Sequence, residues 1–133
     1  MQERGGAAEP ILIRRARIID PSRQVDRVGD LLMGSGEILA TGRIARDQIP
    51  EGYQIINAQG LVASPGFIDL HCHLREPGYE YKETIATGSQ AAARGGFTTL
   101  CCMPNTEPPL DTAAVVEYLR RRAETEALVR VHP

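Results

Sequence analysis

From Pro65 onward, strand-like and helix-like segments alternate along the chain, and this alternation constrains the fold more than any other feature of the sequence. The mostly apolar run GFIDLHCHL is typical of a strand buried on both faces, and FTTLCCM and LVRVHP indicate two further strands. A segment with helical periodicity lies in each gap between them. The order β-α-β-α-β predicts parallel strands connected by helices, as in an α/β sheet or barrel.

The first helical segment, YKETIATGSQAAARGG, carries a stripe of small and apolar residues. Ile85, Gly88 or Ser89, and Ala92 recur at the spacing of one helix face, and their small size suits close packing. The pair Gly95-Gly96 is a stop signal. We therefore expect a helix that ends at these glycines and packs closely through this stripe.

The second helical segment, TAAVVEYLRRRAETEA, has a comparable apolar side. Val116, Leu119 and Ala123 share one face, and the preceding Asp111 has the right chemistry to cap a helix. The segment predicts a helix that begins just after Asp111.

Before Pro65 the sequence predicts a small all-β unit, from Ile11 to Ser64. The segment Ile11–Asp20, ILIRRARIID, indicates a strand closed by Pro21-Ser22, and two apolar runs around Gly34-Ser35-Gly36 predict a hairpin. The polar, Gly- and Ala-rich residues 1–10 predict a loose tail without the features of a secretory signal. We expect domains at 11–64 and 65–133.

The composition is that of a globular protein and excludes several classes of partner. Of the 133 residues, 42% are apolar and 24% are charged, and the net charge of −2 favours neither nucleic acid nor an acidic membrane surface as partner. No apolar run is long enough to span a membrane. Three cysteines, Cys72, Cys101 and Cys102, form a poor disulfide framework and predict free thiols in the cytoplasm.

Two of the three histidines lie one residue apart in the first strand of the alternating region. On a strand His71 and His73 project from the same face, about 6–7 Å apart along the backbone, and two neutral imidazoles so placed can bind one metal ion. The alternative is that both are ordinary strand residues. Cys72 points the other way. The pair falls at the C-terminal end of its strand, where parallel barrels carry their active sites.

Three further polar residues are candidates for the same end of the sheet. Arg75 continues the i, i+2 series and would bind a carboxylate, unless it forms a surface ion pair with Glu76 or Glu80. Asn105 follows the second strand and would bind an amide or carboxylate, unless it serves only turn chemistry. His132 is a weaker candidate ligand, although a catalytic zinc ion needs at least three protein ligands.

The segment from Pro65 to Asp111 resembles the opening of dihydroorotases of the long-chain bacterial type, within the amidohydrolase superfamily. The resemblance rests on PGFIDLHCHLREPG together with GGFTTLCCMPNTEPPLD. Arg75 in REPG and Asn105 in MPNT favour dihydroorotases over allantoinases and hydantoinases. Cys72 departs from the usual residue, but a small side chain that points away from the metal does not impair ligation. The preceding strands resemble the small N-terminal β-domain of the same family.

This resemblance implies a fold, an activity and a set of site residues. The fold would be α/β, a partial (β/α)8 TIM barrel of the metal-dependent amidohydrolase type preceded by a small urease-like β-sandwich. The activity would be the zinc-dependent cyclisation of N-carbamoyl-L-aspartate to L-dihydroorotate in pyrimidine biosynthesis, with one or two Zn2+ ions. His71 and His73 would bind zinc, while His73, Arg75 and Asn105 would bind substrate. Partners would be the small-molecule substrate and either a second copy or aspartate transcarbamoylase.

A (β/α)8 barrel needs about 250 residues, so we expect this chain to be a truncated part of one. The catalytic aspartate and the remaining zinc ligands would lie beyond Pro133, and none of the 133 residues would be the general acid or base. Two alternatives stay open. The chain could come from a catalytically silent homologue that scaffolds aspartate transcarbamoylase, although such homologues tend to lose the metal-binding histidines, or from an allantoinase or hydantoinase.

Overall fold

The computed structural model describes residues 9–133, which divide into two compact units, the first ending at Pro65 and the second covering Gly66–Pro133. Most of the tail predicted for residues 1–10 lies outside the described residues. Among residues 9–133, no helix combines the length and the apolar character that a membrane crossing requires.

The first unit contains one five-stranded sheet. Strands β1 and β2 are antiparallel, as are β2 and β3, whereas β4 and β5 both pair with β1 in parallel. The predicted sandwich stays a prediction, because residues 9–65 supply this single sheet. The strands are β1 Ile11–Asp20, β2 Val25–Gly34, β3 Glu37–Gly42, β4 Gln54–Asn57 and β5 Val62–Ala63.

The hairpin predicted around Gly34-Ser35-Gly36 is confirmed. Ser35 and Gly36, which connect β2 to β3, both have left-handed backbones, with φ of 53° and 79°. Two-residue hairpin turns with this handedness match the twist of the flanking strands. Leu12 of β1 and Leu32 of β2 lie opposite each other and bury their side chains together, which anchors the register.

The second unit is a three-stranded parallel sheet with two helices, as the alternating sequence pattern predicts. Its strands lie in the order β6-β7-β8, and each helix connects consecutive strands. The elements are β6 Phe67–Cys72, α1 Ile85–Arg94, β7 Phe97–Cys102, α2 Ala113–Glu126 and β8 Arg130–His132.

The core of this unit lies between the helices and one face of the sheet. On α1, Ile85 and Ser89 are fully buried and Ala92 packs beside them, which confirms the predicted stripe. The Ser89 hydroxyl is satisfied, since it donates to the Ala86 carbonyl and accepts from the Leu128 backbone N–H. The other buried members of this core are Leu74, Leu100, Cys102, Leu110 and Leu119.

Two details of the second unit differ from the prediction. The cap of α2 is Thr112, whose hydroxyl accepts from the Val115 N–H at 3.4 Å, while the Asp111 N–H turns back to the Pro109 carbonyl. Strand β6 is not buried on both faces, because Ile68 and Leu70 are 59% and 72% exposed. Strand β6 lies at the edge of the three-stranded sheet, so its apolar run exceeds what the described residues bury.

Candidate functional site

Three of the side chains singled out by the sequence meet where β6 and β7 end. His71 lies in β6, His73 follows its last residue, and Asn105 lies in the loop after β7. The rings of His71 and His73 are 5.3 Å apart between centroids, and His73 Nδ1 is 2.9 Å from Asn105 Oδ1. Parallel pairing of the strands creates this meeting, because it brings their C-terminal ends to one edge of the sheet.

The histidine pair fits part of a metal site. Both imidazoles are exposed, and their separation allows them to share one ion. An amide oxygen only accepts hydrogen bonds, so with the Asn105 amide in this orientation His73 Nδ1 carries the proton and Nε2 keeps a lone pair for a metal. Within residues 9–133 no group of three or more His, Cys, Asp or Glu side chains is placed to hold an ion. The pair is therefore an incomplete ligand set.

The other two residues near the pair do not join it. Cys72 points to the helix side, where its thiol donates to the Cys101 carbonyl at 3.5 Å, and burial raises the pKa of Cys72 to about 11. His132 lies at the end of β8 opposite Cys101, and it has no ring contact with His71 or His73.

Arg75 lies in the loop after β6, and its position differs in one respect from the expectation. Strand β6 ends at Cys72, and Arg75 has a left-handed backbone with φ of 62°, so strand alternation does not extend to it. The alternative of a surface ion pair is not formed within the described chain. The carboxylate of Glu80 accepts from the Gly78 N–H, and that of Glu76 turns towards α2.

Glu76, which follows Arg75, is a buried carboxylate that the sequence pattern does not identify. Its carboxylate is only 1% exposed, and it accepts hydrogen bonds from three groups. Arg122 Nε donates at 2.8 Å and Tyr118 OH at 3.4 Å to Oε1, while the Ile85 N–H donates at 3.1 Å to Oε2. The hydrogen bond between Arg122 and Glu76 raises the pKa of Arg122. Burial, together with the nearby Glu76 charge, raises the pKa of Tyr118.

The loops that carry Arg75 and Asn105 are in direct contact. The Glu107 N–H donates to the Pro77 carbonyl at 3.0 Å. Gly78 has φ of 95°, and a Cβ atom there would lie 2.2 Å from the Glu107 carbonyl oxygen. Glycine at position 78 therefore satisfies both the backbone conformation and the close approach. The two loops form one continuous rim beside the histidine pair.

Comparison with solved structures shows that this architecture also occurs in hydantoinases. The L-hydantoinase (dihydropyrimidinase) of Arthrobacter aurescens superposes with a TM-score of 0.79 over 91% of this chain and 26% of its own, at 23% identity, which speaks for the fold alone. The D-hydantoinase of a Thermus species is 32% identical, with a TM-score of 0.63 over 88% of this chain and 24% of its own. The chain thus has the fold of the corresponding part of these amidohydrolases.

Comparison with curated relatives identifies the family more closely. The dihydroorotase of Citrifermentans bemidjiense is 50% identical over 123 residues, and that of Solibacter usitatus is 47% identical over 124 residues. These alignments cover 92% and 93% of this chain but 28% of each relative, so the chain spans little more than a quarter of their length. The family described as Dihydro-orotase-like matches residues 60–133. The chain, which carries the histidine pair and both loops within the matched region, belongs to the dihydroorotase-like family.

Proposed function

We propose that this chain provides part of a zinc-dependent dihydroorotase, which interconverts N-carbamoyl-L-aspartate and L-dihydroorotate. The observation that carries the proposal is the His71–His73 pair, with Asn105 bound to His73 at the carboxyl edge of a parallel sheet. The dihydroorotase relatives at about half identity support the choice of substrate. The pathway would be pyrimidine biosynthesis in the cytoplasm.

The proposed whole-molecule fold is a (β/α)8 barrel that contains residues 65–133, with residues 11–64 in a small β-sandwich domain. Three parallel strands with both helices packed against one core support this proposal, because a barrel of this type begins with such units. The exposed Ile68 and Leu70 side chains of β6 support this, because a closed barrel with its surrounding helices would bury them. Further zinc ligands and the general acid/base aspartate would then come from outside these 133 residues.

Each site residue has a distinct proposed task. His71 and His73 would hold one or two Zn2+ ions, which when bound supply Lewis acidity and an activated water. Asn105 uses its oxygen to fix the tautomer of His73, so its amide N–H groups remain to donate to a substrate carboxylate. The Arg75 guanidinium would bind the same carboxylate through two parallel hydrogen bonds. These contacts orient the ring amide and leave proton transfer to the aspartate.

Two competing functions predict different substrate preferences or no activity at all. The hydantoinase neighbours support a cyclic-amide hydrolase of another specificity, and an allantoinase belongs to the same class. A silent subunit that scaffolds aspartate transcarbamoylase is disfavoured by the intact histidine pair, although an active enzyme could still form a homodimer or that complex. The full-length enzyme, meaning this chain with whatever sequence adjoins it in the cell, is assayed with dihydroorotate, hydantoin and allantoin.

The expected result is turnover of dihydroorotate at least about a hundredfold above that of the other two rings, since a site built to bind the carboxylate rejects analogues that lack it. His71→Ala and His73→Ala should each abolish activity and lower the bound zinc, measured by plasma mass spectrometry. His132→Ala is the matched control and should retain both. Preferred turnover of hydantoin or allantoin, or no turnover by a zinc-loaded enzyme, would refute the proposal.

A further inference from the structure

Glu76 is a buried carboxylate next to the substrate-binding Arg75, and the proposed chemistry does not use it. Its side chain is 1% exposed, so it does not reach a substrate at the exposed rim. Its hydrogen-bond donors lie on α1 and α2, and neither His71 nor His73 is among them. It is thus a candidate for a role exerted through a neighbour.

The three donors to Glu76 come from two different helices. The Ile85 N–H lies in the first turn of α1, where the free backbone N–H groups and the helix dipole favour an anion. Tyr118 and Arg122 lie one turn apart on α2 and share the other carboxylate oxygen. Arg122 is itself held by an ion pair with Glu126. The carboxylate therefore ties the loop after β6 to the first turn of α1 and to the body of α2.

Arg75 shares a peptide bond with Glu76 and adopts a backbone conformation that an arginine rarely takes. Its φ is 62°, and its carbonyl accepts from the Tyr79 N–H at 2.9 Å. A non-glycine residue remains left-handed only where its surroundings hold it there. The Glu76 anchor and the hydrogen bond from the Tyr79 N–H, both on the C-terminal side of Arg75, supply that restraint. Together they set the direction in which the guanidinium leaves the loop.

We propose that Glu76, held by Arg122 and Tyr118, is a positioning residue that presents Arg75 to the substrate carboxylate. The inference rests on the proposed function, because it takes the bound carboxylate of the dihydroorotate ring as the ligand of Arg75. A buried ion pair is a weak source of stability, since desolvation offsets most of the attraction. Its defined hydrogen-bond directions instead favour a role in fixing the geometry of this loop.

The test uses Glu76→Gln and Arg122→Lys in the full-length enzyme, with Glu80→Gln as the matched control. Glu80 is an exposed carboxylate in the same loop. Both anchor variants should raise KM for dihydroorotate about tenfold and change kcat less than about threefold, because uniform substrate binding is what they lose. Bound zinc should be unchanged. The control should keep both kinetic constants.

Coupling to Arg75 separates positioning from a general structural role. Arg75→Ala alone should raise KM, and adding Glu76→Gln should raise it less than about twofold further, because residues that act through one another are not additive. A tenfold effect of Glu76→Gln that persists without Arg75, or a fall in kcat and zinc at constant KM, would overturn the inference. If Glu76→Gln does not fold, the same KM comparison is made with Arg122→Lys. An enzyme that never turns over dihydroorotate would refute the proposed function and not this inference.

Discussion

At the scale of the residue, Asn105 has two functions that a substitution can separate. Its oxygen holds the proton-bearing Nδ1 of His73, and its nitrogen is the proposed donor to substrate. An aspartate at this position keeps an acceptor for His73 but loses the donor and adds a negative charge next to the substrate carboxylate.

We therefore expect Asn105→Asp and Asn105→Ala to differ in their effects on zinc affinity. Asn105→Asp should keep zinc affinity within about threefold and raise KM at least tenfold, whereas Asn105→Ala should also weaken zinc about 10- to 100-fold, the usual effect of losing a partner of a metal-bound histidine. Competition with a chromogenic chelator measures the zinc affinity, and steady-state kinetics measure KM. Equal zinc affinity in both variants would contradict the assigned tautomer role.

Cys102 gives a pH-dependent prediction. Burial raises the pKa of this thiol above its ordinary value of 9.0, so the folded state favours the neutral form. The stability due to Cys102 is then fully present below about pH 9 and is lost as the pH rises through the higher folded-state pKa. The difference in free energy of unfolding between wild type and Cys102→Ala, about 1 kcal/mol at pH 8, should shrink as the pH rises above about 9.

Denaturant titrations at several pH values measure this difference, with Val131→Ala as the control. Val131 is a non-titrating residue packed against the same core. Its contribution should not change with pH. A constant difference for Cys102→Ala across the same range would show that the thiol titrates normally.

Single residues also show what the sequence can predict and where it fails. The i, i+2 rule brings His71 and His73 together because both belong to the strand or its immediate end. The same rule fails at Arg75, where the chain has turned into a left-handed conformation. The role proposed for Glu76 is not predictable from local sequence, since its partner Arg122 lies 46 residues away and only the packing of α2 brings it near.

At the scale of the element, helix α2 begins one residue later than its sequence predicts. Asp111 and Thr112 are both good capping residues, and composition does not choose between them. The choice is made by the preceding turn, in which the Asp111 N–H donates to the Pro109 carbonyl. Helix α1, by contrast, was predictable in position and packing face because its stripe of small residues ends at paired glycines.

The two capping candidates give a direct test. Thr112→Ala should destabilise the protein by about 1 kcal/mol because the Val115 N–H loses its acceptor. Asp111→Ala should cost less than about half of that, through the weaker interaction with the helix dipole. Chemical denaturation of both variants gives the comparison. A larger loss in Asp111→Ala would restore aspartate as the cap.

At the scale of the whole molecule, the parallel order β6-β7-β8 was predictable because strands and helices alternate. Closure of a barrel is a different matter. The apolar run of β6 predicts burial on both faces, but only contacts with further elements can provide it, and residues 9–133 leave Ile68 and Leu70 exposed. The apolar sequence of β6 thus indicates that further elements pack against it, although it does not show which ones.

This leads to a prediction for the 133-residue polypeptide produced by itself. It should turn over no dihydroorotate above background and bind zinc at least about a hundredfold more weakly than the full-length enzyme, since two imidazoles are fewer ligands than a catalytic zinc site uses. Isothermal titration with zinc and a spectrophotometric assay provide the measurements, and His71→Ala is the control for specific binding. Turnover by the purified polypeptide would contradict the prediction that the histidine pair is an incomplete ligand set.

The contact between Gly78 and Glu107 has a consequence for how such enzymes can be rebuilt. A side chain at position 78 would meet the carbonyl of the opposite loop, and the Pro77 carbonyl already holds the Glu107 N–H. Neither loop therefore has an independent shape. An exchange of the loops after β6 and β7 with those of a hydantoinase, made to alter ring preference, therefore has to replace both loops together. A single exchanged loop would contact a surface that fits a different loop.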